Sequence, residues 1–426
     1  MKKITVLLVS LSLSLFACNK KKDEGSKPAD DGKKPVAGDM KGPGDAKNPE
    51  KPAEDPNWVK AENVKPEDEK IECDSGSCKI SVVTKNVKAE IEKQADFEKL
   101  EIQFREGVGN DYFKTIANLP WVKKLSISYT KIDTLEPVAK LAKLEELKAA
   151  SLKWEDDKDN KKRLSLKPLA GLKNLKQLNF YGTHVNDVDA LAEAVTLTNI
   201  NFYMSEVETI KFAEKLVNLV EFDLYACPVT DLAPLGNLIK LQKLNLYMNK
   251  STDFSVLAKL PELDDIWLQF TTFADLNLLA GAKKMKSLSL SWIKGDMKDI
   301  SAVKNMPELE SISLSDVPVE KIDALADCKK LTRADLGNTK IKDIKALKDI
   351  TTLTSVNISK TAVADLSPLA KAENLWSLDL NGSKVKSLAP ILKLTKLRSL
   401  TVSKDFPKGE VEKIKKAMPE LNVSER

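Results

Sequence analysis

The sequence predicts an α/β solenoid, a right-handed coil of short units. Their strands form one curved parallel sheet on the concave face, with short 3-10 turns on the convex face. Three observations carry this. Apolar residues recur at a spacing of 22: Leu178, Ile200, Phe222, Leu244, Ile266 and Leu288, then, after one step of 24, Ile312, Ala334, Val356, Leu378 and Leu400. A fixed period in this range marks stacked repeats. Each of these residues sits in an L-x-x-L-x-L pattern. In Leu241-Gln-Lys-Leu244-Asn-Leu246 the last residues alternate as a short strand does, with Leu244 and Leu246 inward and Lys243, Asn245 and Tyr247 outward. The second half of many units reads like Asp231-Leu-Ala-Pro-Leu235 or Asp365-Leu-Ser-Pro-Leu369. Asp suits the cap of a helical turn and Pro its first positions.

Three looser units around Leu100, Leu125 and Leu147 bring the total to fourteen, from residue 97 to 402. Stacked at about 4.8 Å, they make a sheet roughly 65 Å long. The spacing and the Asp-Leu-x-Pro-Leu pieces resemble the 22-residue leucine-rich repeat of internalin-type bacterial surface proteins. The resemblance implies recognition of a protein or other ligand on the concave sheet, since that is how the family uses it; fold alone does not name the partner. Residues 97–404 are the expected repeat domain. Residues 405–426 are the expected C-terminal cap, with Val411, Ile414 and Met418 on one face of a short helix, and no wall-sorting tail is expected.

The start of the chain reads as an export signal, residues 1–17. Lys2 and Lys3 precede an apolar run from Ile4 to Leu15, shorter than the about 20 residues that span a bilayer. Leu15-Phe16-Ala17-Cys18 resembles a bacterial lipobox, in which the Cys18 thiol would carry the lipid anchor. Asn19 after the cysteine resembles lipoproteins sorted to the outer membrane of Gram-negative bacteria, facing the periplasm or the exterior. Residues 18–70 are Pro-, Lys- and Asp-rich with few apolar residues, and read as a flexible tether reaching roughly 40 Å. Residues 71–96 are the expected N-terminal cap. There Cys73 and Cys78 flank the turn signal Asp74-Ser-Gly-Ser77, which in an exported chain points to a disulfide across a hairpin.

Charge and chemistry exclude several function classes. Lys+Arg 68 nearly balances Asp+Glu 63, and only five residues are arginines, so neither nucleic acid nor a membrane surface is an expected partner. The one histidine, His184, falls in a loop slot where other units place Lys131, Lys340 and Lys384, and is expected to be exposed. No Ser-His-Asp set or histidine metal site can be built, so no catalytic residue, metal or cofactor is expected. Cys227 shares an inward slot with Thr130, Thr183, Ser205, Asn249 and Thr271, and Cys328 a core slot with Leu216, Leu238 and Leu260; both read as buried, inert thiols. The step of 31 from Leu147 to Leu178 places nine extra residues near Trp154–Arg163. Asp157 and Asp159 lack the glycine and glutamate of a calcium loop, so an exposed loop is expected.

The strongest functional signal is a column of tyrosines. Tyr181, Tyr203, Tyr225 and Tyr247 are successive equivalents on the outward face of the concave sheet, beside Asn179, Asn201, Asp223 and Asn245. Trp267 and Gln269 continue that face, with Phe270 and Trp292 near the strand ends. Later units place Ser315, Gly337, Ser359 and Asn381 in the tyrosine column, so the strip is local and not a requirement of the fold. Exposed aromatic strips mark binding surfaces. The expected function is therefore non-catalytic binding of a protein partner by an envelope-anchored, monomeric solenoid. The alternatives are binding of a glycan or cell-wall polysaccharide, or a purely structural spacer. Replacing Cys18 with Ser should move the protein from the membrane to the soluble fraction on cell fractionation; identical partition of wild type and variant would rule out the anchor.

Overall fold

A computed structural model describes Val59 and residues 63–426, except 155, 156, 158 and 160. The expectations for the signal, for Cys18 and for most of the tether lie outside the described residues. Residues 63–70, expected at the end of the tether, carry a 3-10 turn at Pro66–Glu69. They rest on the first units: the Tyr112 hydroxyl donates to Asp68 (2.9 Å), and Arg105 donates to the Lys70 carbonyl (2.9 Å).

The described chain winds into a sheet of seventeen strands in sequence order, parallel throughout except for its first pair. Most strands are three residues long, with the central residue buried and its neighbours half-exposed. They pair in register with the residue 22 ahead, Phe222 opposite Leu244 and Leu244 opposite Ile266. In the first unit, Ile102 and not Leu100 faces Leu125. Leu100 ends the preceding 3-10 turn and packs inward from there. Three strands exceed the fourteen units. The hairpin Glu72–Cys73 and Ser77–Ile80 covers the first edge, closed by the Cys73–Cys78 disulfide. Asn422–Glu425 covers the last, after the helix Lys408–Ala417, whose Val411 and Ile414 are buried. Exposed strand edges invite pairing with other chains, and these segments block both ends.

Behind each strand a 3-10 turn returns the chain. Asp231 Oδ1 accepts the Ala233 N–H (2.9 Å) and Asp365 Oδ1 the Ser367 N–H (2.8 Å), as the cap reading requires. One apolar core runs from Cys78 to Leu421. Inside it the residues two after the strand centres include Phe180 and Phe202, stacked at 5.8 Å, with Phe202 also against Phe222 at 6.3 Å. The inward polar slot behaves as a ladder. Thr130, Thr271 and Thr339 donate to the carbonyl three residues back, and Cys227 Sγ reaches the Phe202 carbonyl of the unit before (3.0 Å). Cys227 and Cys328 are buried and free, and burial pushes both thiols up to about 11, away from reactivity.

Four residues after the strand centre, the backbone turns left-handed in successive units, as at Met204 (φ 54°), Met248 (φ 58°), Trp292 (φ 58°) and Asn338 (φ 52°). The turn lifts the chain out of the strand while its N–H still reaches the next unit, as from Met204 to the Tyr225 carbonyl (2.9 Å). For a residue other than Gly, Asn or Asp this conformation costs on the order of 1 kcal/mol. The unit lengthened to 24 residues absorbs its extra pair near Gly295, where a Cβ would collide with the Phe273 carbonyl.

The nine-residue excess before Leu178 leaves the sheet intact, because Leu147 still pairs with Leu178. The insertion adds a small parallel pair, Leu164–Ser165 with Val185–Asn186. Trp154 anchors it through Nε1–H to the Ile132 carbonyl (2.8 Å). The carboxylate of Asp157 accepts the backbone N–H groups of Lys161 (2.6 Å) and Lys162 (2.9 Å), so its oxygens hold the loop's own backbone.

Phe202 is fully buried and touches three other rings. Phe202→Ala should lower stability by about 3–5 kcal/mol, read as a drop in the urea midpoint of the circular dichroism signal. A loss below about 1 kcal/mol would mean that the stacked phenylalanines do not support the core.

Candidate binding surface

On the concave face, parallel strands in strict register carry equivalent side chains at the inter-strand spacing of about 4.8 Å. Planar side chains one unit apart must then stack. Tyr181 and Tyr203 lie 4.6 Å apart between ring centres, Tyr203 and Tyr225 3.9 Å, and Tyr225 and Tyr247 4.5 Å, with interplanar angles of 15°, 10° and 17°. The ladder continues, but not through the column. The next position in the column is Gln269, and Phe270 takes the ring's place at 5.2 Å from Tyr247, followed by Trp292 at 5.5 Å from Phe270. Six aromatic rings thus run unbroken across six units. Each stacked pair contributes about 0.5–1.5 kcal/mol beyond its buried area.

The stacking decides what the ladder can offer. Tyr203 and Tyr225 are covered on both faces, so their edges and hydroxyls face out, while Phe270 is tilted by 55° against Tyr247. Tyr181, at the open end, is 44% exposed, and the other three are half-buried. Burial and then the neighbouring Tyr225 hydroxyl raise the pKa of Tyr203 well above that of a free tyrosine, and burial and then the same neighbour raise that of Tyr247.

The neighbouring amides and carboxylate hold the ladder's backbone. Asn179, Asn201, Asp223 and Asn245 each accept, through Oδ1, the N–H of the tyrosine two residues on, at 2.9–3.0 Å. Asp335, Asn357 and Asp379 repeat the bond in units with no tyrosine. The unit geometry alone therefore accounts for one oxygen at each of these sites. Asn245 also donates to the second oxygen of Asp223 (3.2 Å).

These residues floor a shallow groove of about 300 Å³ that runs from Glu146 and Lys148 across to Trp267. Its charges are arranged by strand. Lys148 sits between Glu101 (3.2 Å) and Glu146 (3.0 Å); burial alone would lower its pKa, but the two carboxylates outweigh it and hold it up. Lys243 pairs with Glu221 (2.7 Å), which holds Glu221 below the usual carboxylate range. Asp223 and Asp265 have no cation directly on them, and burial raises both, Asp265 to about 6 against the pull of the Ser287 hydroxyl. Within the Trp267 unit, one buried oxygen each of Asp264, Asp265 and Gln269 has no hydrogen-bond partner among the described residues, although the other Asp264 oxygen pairs with Lys286 (3.3 Å). The spacing of the repeat gave no sign of Asp265, because its significance lies in burial.

Beyond Trp292 the surface changes character. Ser287, Ser289, Ser311 and Ser313 occupy the outward strand positions. The Ser291 and Ser313 hydroxyls bond each other, and Ser313 reaches Asp335 (3.3 Å). His184 departs from the exposed position expected of it: its side chain is only 13% exposed. The inserted segment brings Arg163 to its Nδ1 (3.0 Å), and Glu206 of the next unit lies 3.6 Å from its Nε2.

No protein-family model matches the chain, and no curated protein matches it. Solved structures do. A leucine-rich-repeat protein of Leptospira interrogans aligns with a TM-score of 0.65 at 17% identity, over 81% of this chain and 93% of that one. An internalin of Listeria monocytogenes aligns with a TM-score of 0.60 at 21% identity, over 79% and 92%. The fold is that of a leucine-rich-repeat solenoid. The ectodomain of the Arabidopsis thaliana receptor kinase GASSHO1/SCHENGEN3, solved in complex with CASPARIAN STRIP INTEGRITY FACTOR 2, aligns with a TM-score of 0.55 at 17% identity, over 81% of this chain and 48% of that one. At these identities the likeness shows the leucine-rich-repeat solenoid alone.

The Asp265 shift sets a pH dependence. Between pH 3.8 and about 6 the folded protein keeps this proton while the unfolded chain has released it. Its contribution therefore favours folding below that window and is lost as pH rises through it. Asp265→Asn should flatten this part of the curve of urea midpoint against pH. An unchanged slope would show that Asp265 ionises normally.

Proposed function

We propose that the protein is a non-catalytic binding module, displayed from the cell envelope through Cys18, that takes a protein partner on its concave face between Tyr181 and Trp292. The observation that carries this reading is the six-ring ladder bordering a polar groove. The ladder is confined to these units, while the same solenoid continues through serine-, asparagine- and glycine-bearing units without it. Tyrosine and tryptophan are the usual anchors of protein interfaces, and a monomer seldom leaves such a strip wet without use. The receptor-kinase ectodomain of the same fold, solved in complex with CASPARIAN STRIP INTEGRITY FACTOR 2, supports a binding role.

The stacking also weighs against a sugar ligand. A sugar ring packs on the open face of an aromatic side chain, and the inner rings of this ladder cover each other's faces. What remains outward is a row of ring edges and hydroxyls beside Asn and Asp side chains, which suits the mixed polar and apolar surface of a polypeptide.

The double variant Tyr203→Ser with Tyr225→Ser tests the reading. It breaks three stacked contacts and should cost about 1.5–4.5 kcal/mol of stability, with the core intact. Binding of the proteins captured by the wild type from an extract of the source cells should fall by about tenfold or more. Unchanged capture with the same loss of stability would make the ladder a support for the sheet and not a docking surface.

A further inference from the structure

The left-handed position that closes each strand is a demand of the fold and not of the side chain. Its N–H must reach the next unit, from Met204 to Tyr225, from Ala226 to Tyr247 and from Met248 to Gln269, all at 2.9 Å. Three later units meet the demand with residues that adopt this conformation readily, Asp316, Asn338 and Gly382, as Gly182 does at the ladder's first unit, while Lys360 and Tyr129 take it outside the ladder. Across the tyrosine ladder the same position holds Met204, Met248, Phe270 and Trp292, side chains that disfavour it. They are not buried in return. Met204 and Met248 are each 50% exposed and Trp292 47%, while Ala226 leaves a gap between the two methionines. Phe270 and Trp292 recover part of this cost by stacking, but Met204 and Met248 combine strained backbone with wet apolar side chains, and such strain collects where a ligand is held.

The chemistry beside this rim limits what can cover it. On the strand Asp265–Trp267, Asp265 has one buried oxygen without a donor among the described residues and Trp267 lines the groove, while Asp264 is already paired with Lys286 (3.3 Å). A half-buried carboxylate with no ion pair of its own among the described residues complements a cation, and an indole face beside it favours one further. A phosphate-bearing ligand would meet repulsion from the same carboxylate. The occupant must then bring apolar bulk to the rim and a basic group to the floor, a combination that polypeptides carry.

We propose that the rim anchors a polypeptide segment presenting a basic side chain next to an aliphatic or aromatic one. The apolar side chain seats over Ala226 between Met204 and Met248, whose flexible thioethers close around it. The basic side chain extends across the sheet over Trp267 toward Asp265. This rests on the concave-face reading and adds the chemistry of the partner and the residues that hold it.

The test uses phage-displayed random dodecapeptides panned on the full-length protein, with soluble peptidoglycan fragments as a separate probe. Enriched peptides should pair Arg or Lys with a large apolar residue. Synthetic copies should bind the Met204→Asn, Met248→Asn double variant about tenfold or more weakly than wild type, while the urea midpoint of that variant stays level or rises, because asparagine tolerates the left-handed turn. Asp265→Asn should weaken binding and reduce its sensitivity to salt. The proposal is overturned if no peptide is enriched, if only the peptidoglycan fragments bind, if the enriched peptides are acidic, if the methionine variant binds as wild type does, or if it loses stability together with affinity. Peptides lost on Tyr203→Ser with Tyr225→Ser but kept on the methionine variant would overturn this rim alone. Peptides kept on both variants would overturn the concave-face reading as well.

Discussion

Everything in this molecule depends on in-register parallel pairing between strands one unit apart. Because Phe222 faces Leu244 and Leu244 faces Ile266, every position in one unit has its equivalent about 4.8 Å away in the next. Each kind of residue then becomes a ladder. Apolar residues make a continuous core, hydroxyls and a thiol make a rail of bonds to backbone carbonyls, Asn and Asp hold the chain as it leaves the strand, and tyrosines stack. A substitution in one unit acts on its two neighbours and little further, which is how stability is distributed in solenoids generally.

The same rule separates what the fold uses from what it merely permits. The Asn or Asp that accepts the N–H two residues on recurs in units with a tyrosine and in units with glycine or serine, so its first role is structural. The tyrosines, Phe270, Trp292 and the exposed methionines do not recur. Neither do the donorless oxygens of Asp264, Asp265 and Gln269. The proposed function rests on these departures from the repeat, which fall on one stretch of the solenoid.

The ends and the insertion show how local exceptions are absorbed. Edge strands are supplied by segments outside the period, the disulfide-closed hairpin at one end and Asn422–Glu425 at the other. The excess residues after Leu147 leave the sheet register untouched, because Trp154 and Asp157 tie the added loop to backbone groups. That loop also supplies Arg163, which shields His184 from water.

The sequence by itself determined the solenoid, its unit length and its inward and outward positions. It also determined the pairing of Cys73 with Cys78 and the burial of Cys227 and Cys328. Periodicity is local information, and uniform stacking converts it directly into three dimensions. The tyrosine column was legible for the same reason. Tertiary structure alone decided that the rings close face to face, that Phe270 and not Gln269 continues the ladder, and that methionines sit in left-handed turns. It also decided that Ile102 rather than Leu100 begins the register, and that His184 lies sheltered. These depend on contacts between units, on rotamers and on irregular loops, which a repeat pattern does not encode because each arises where the repeat is broken or where two copies of it meet.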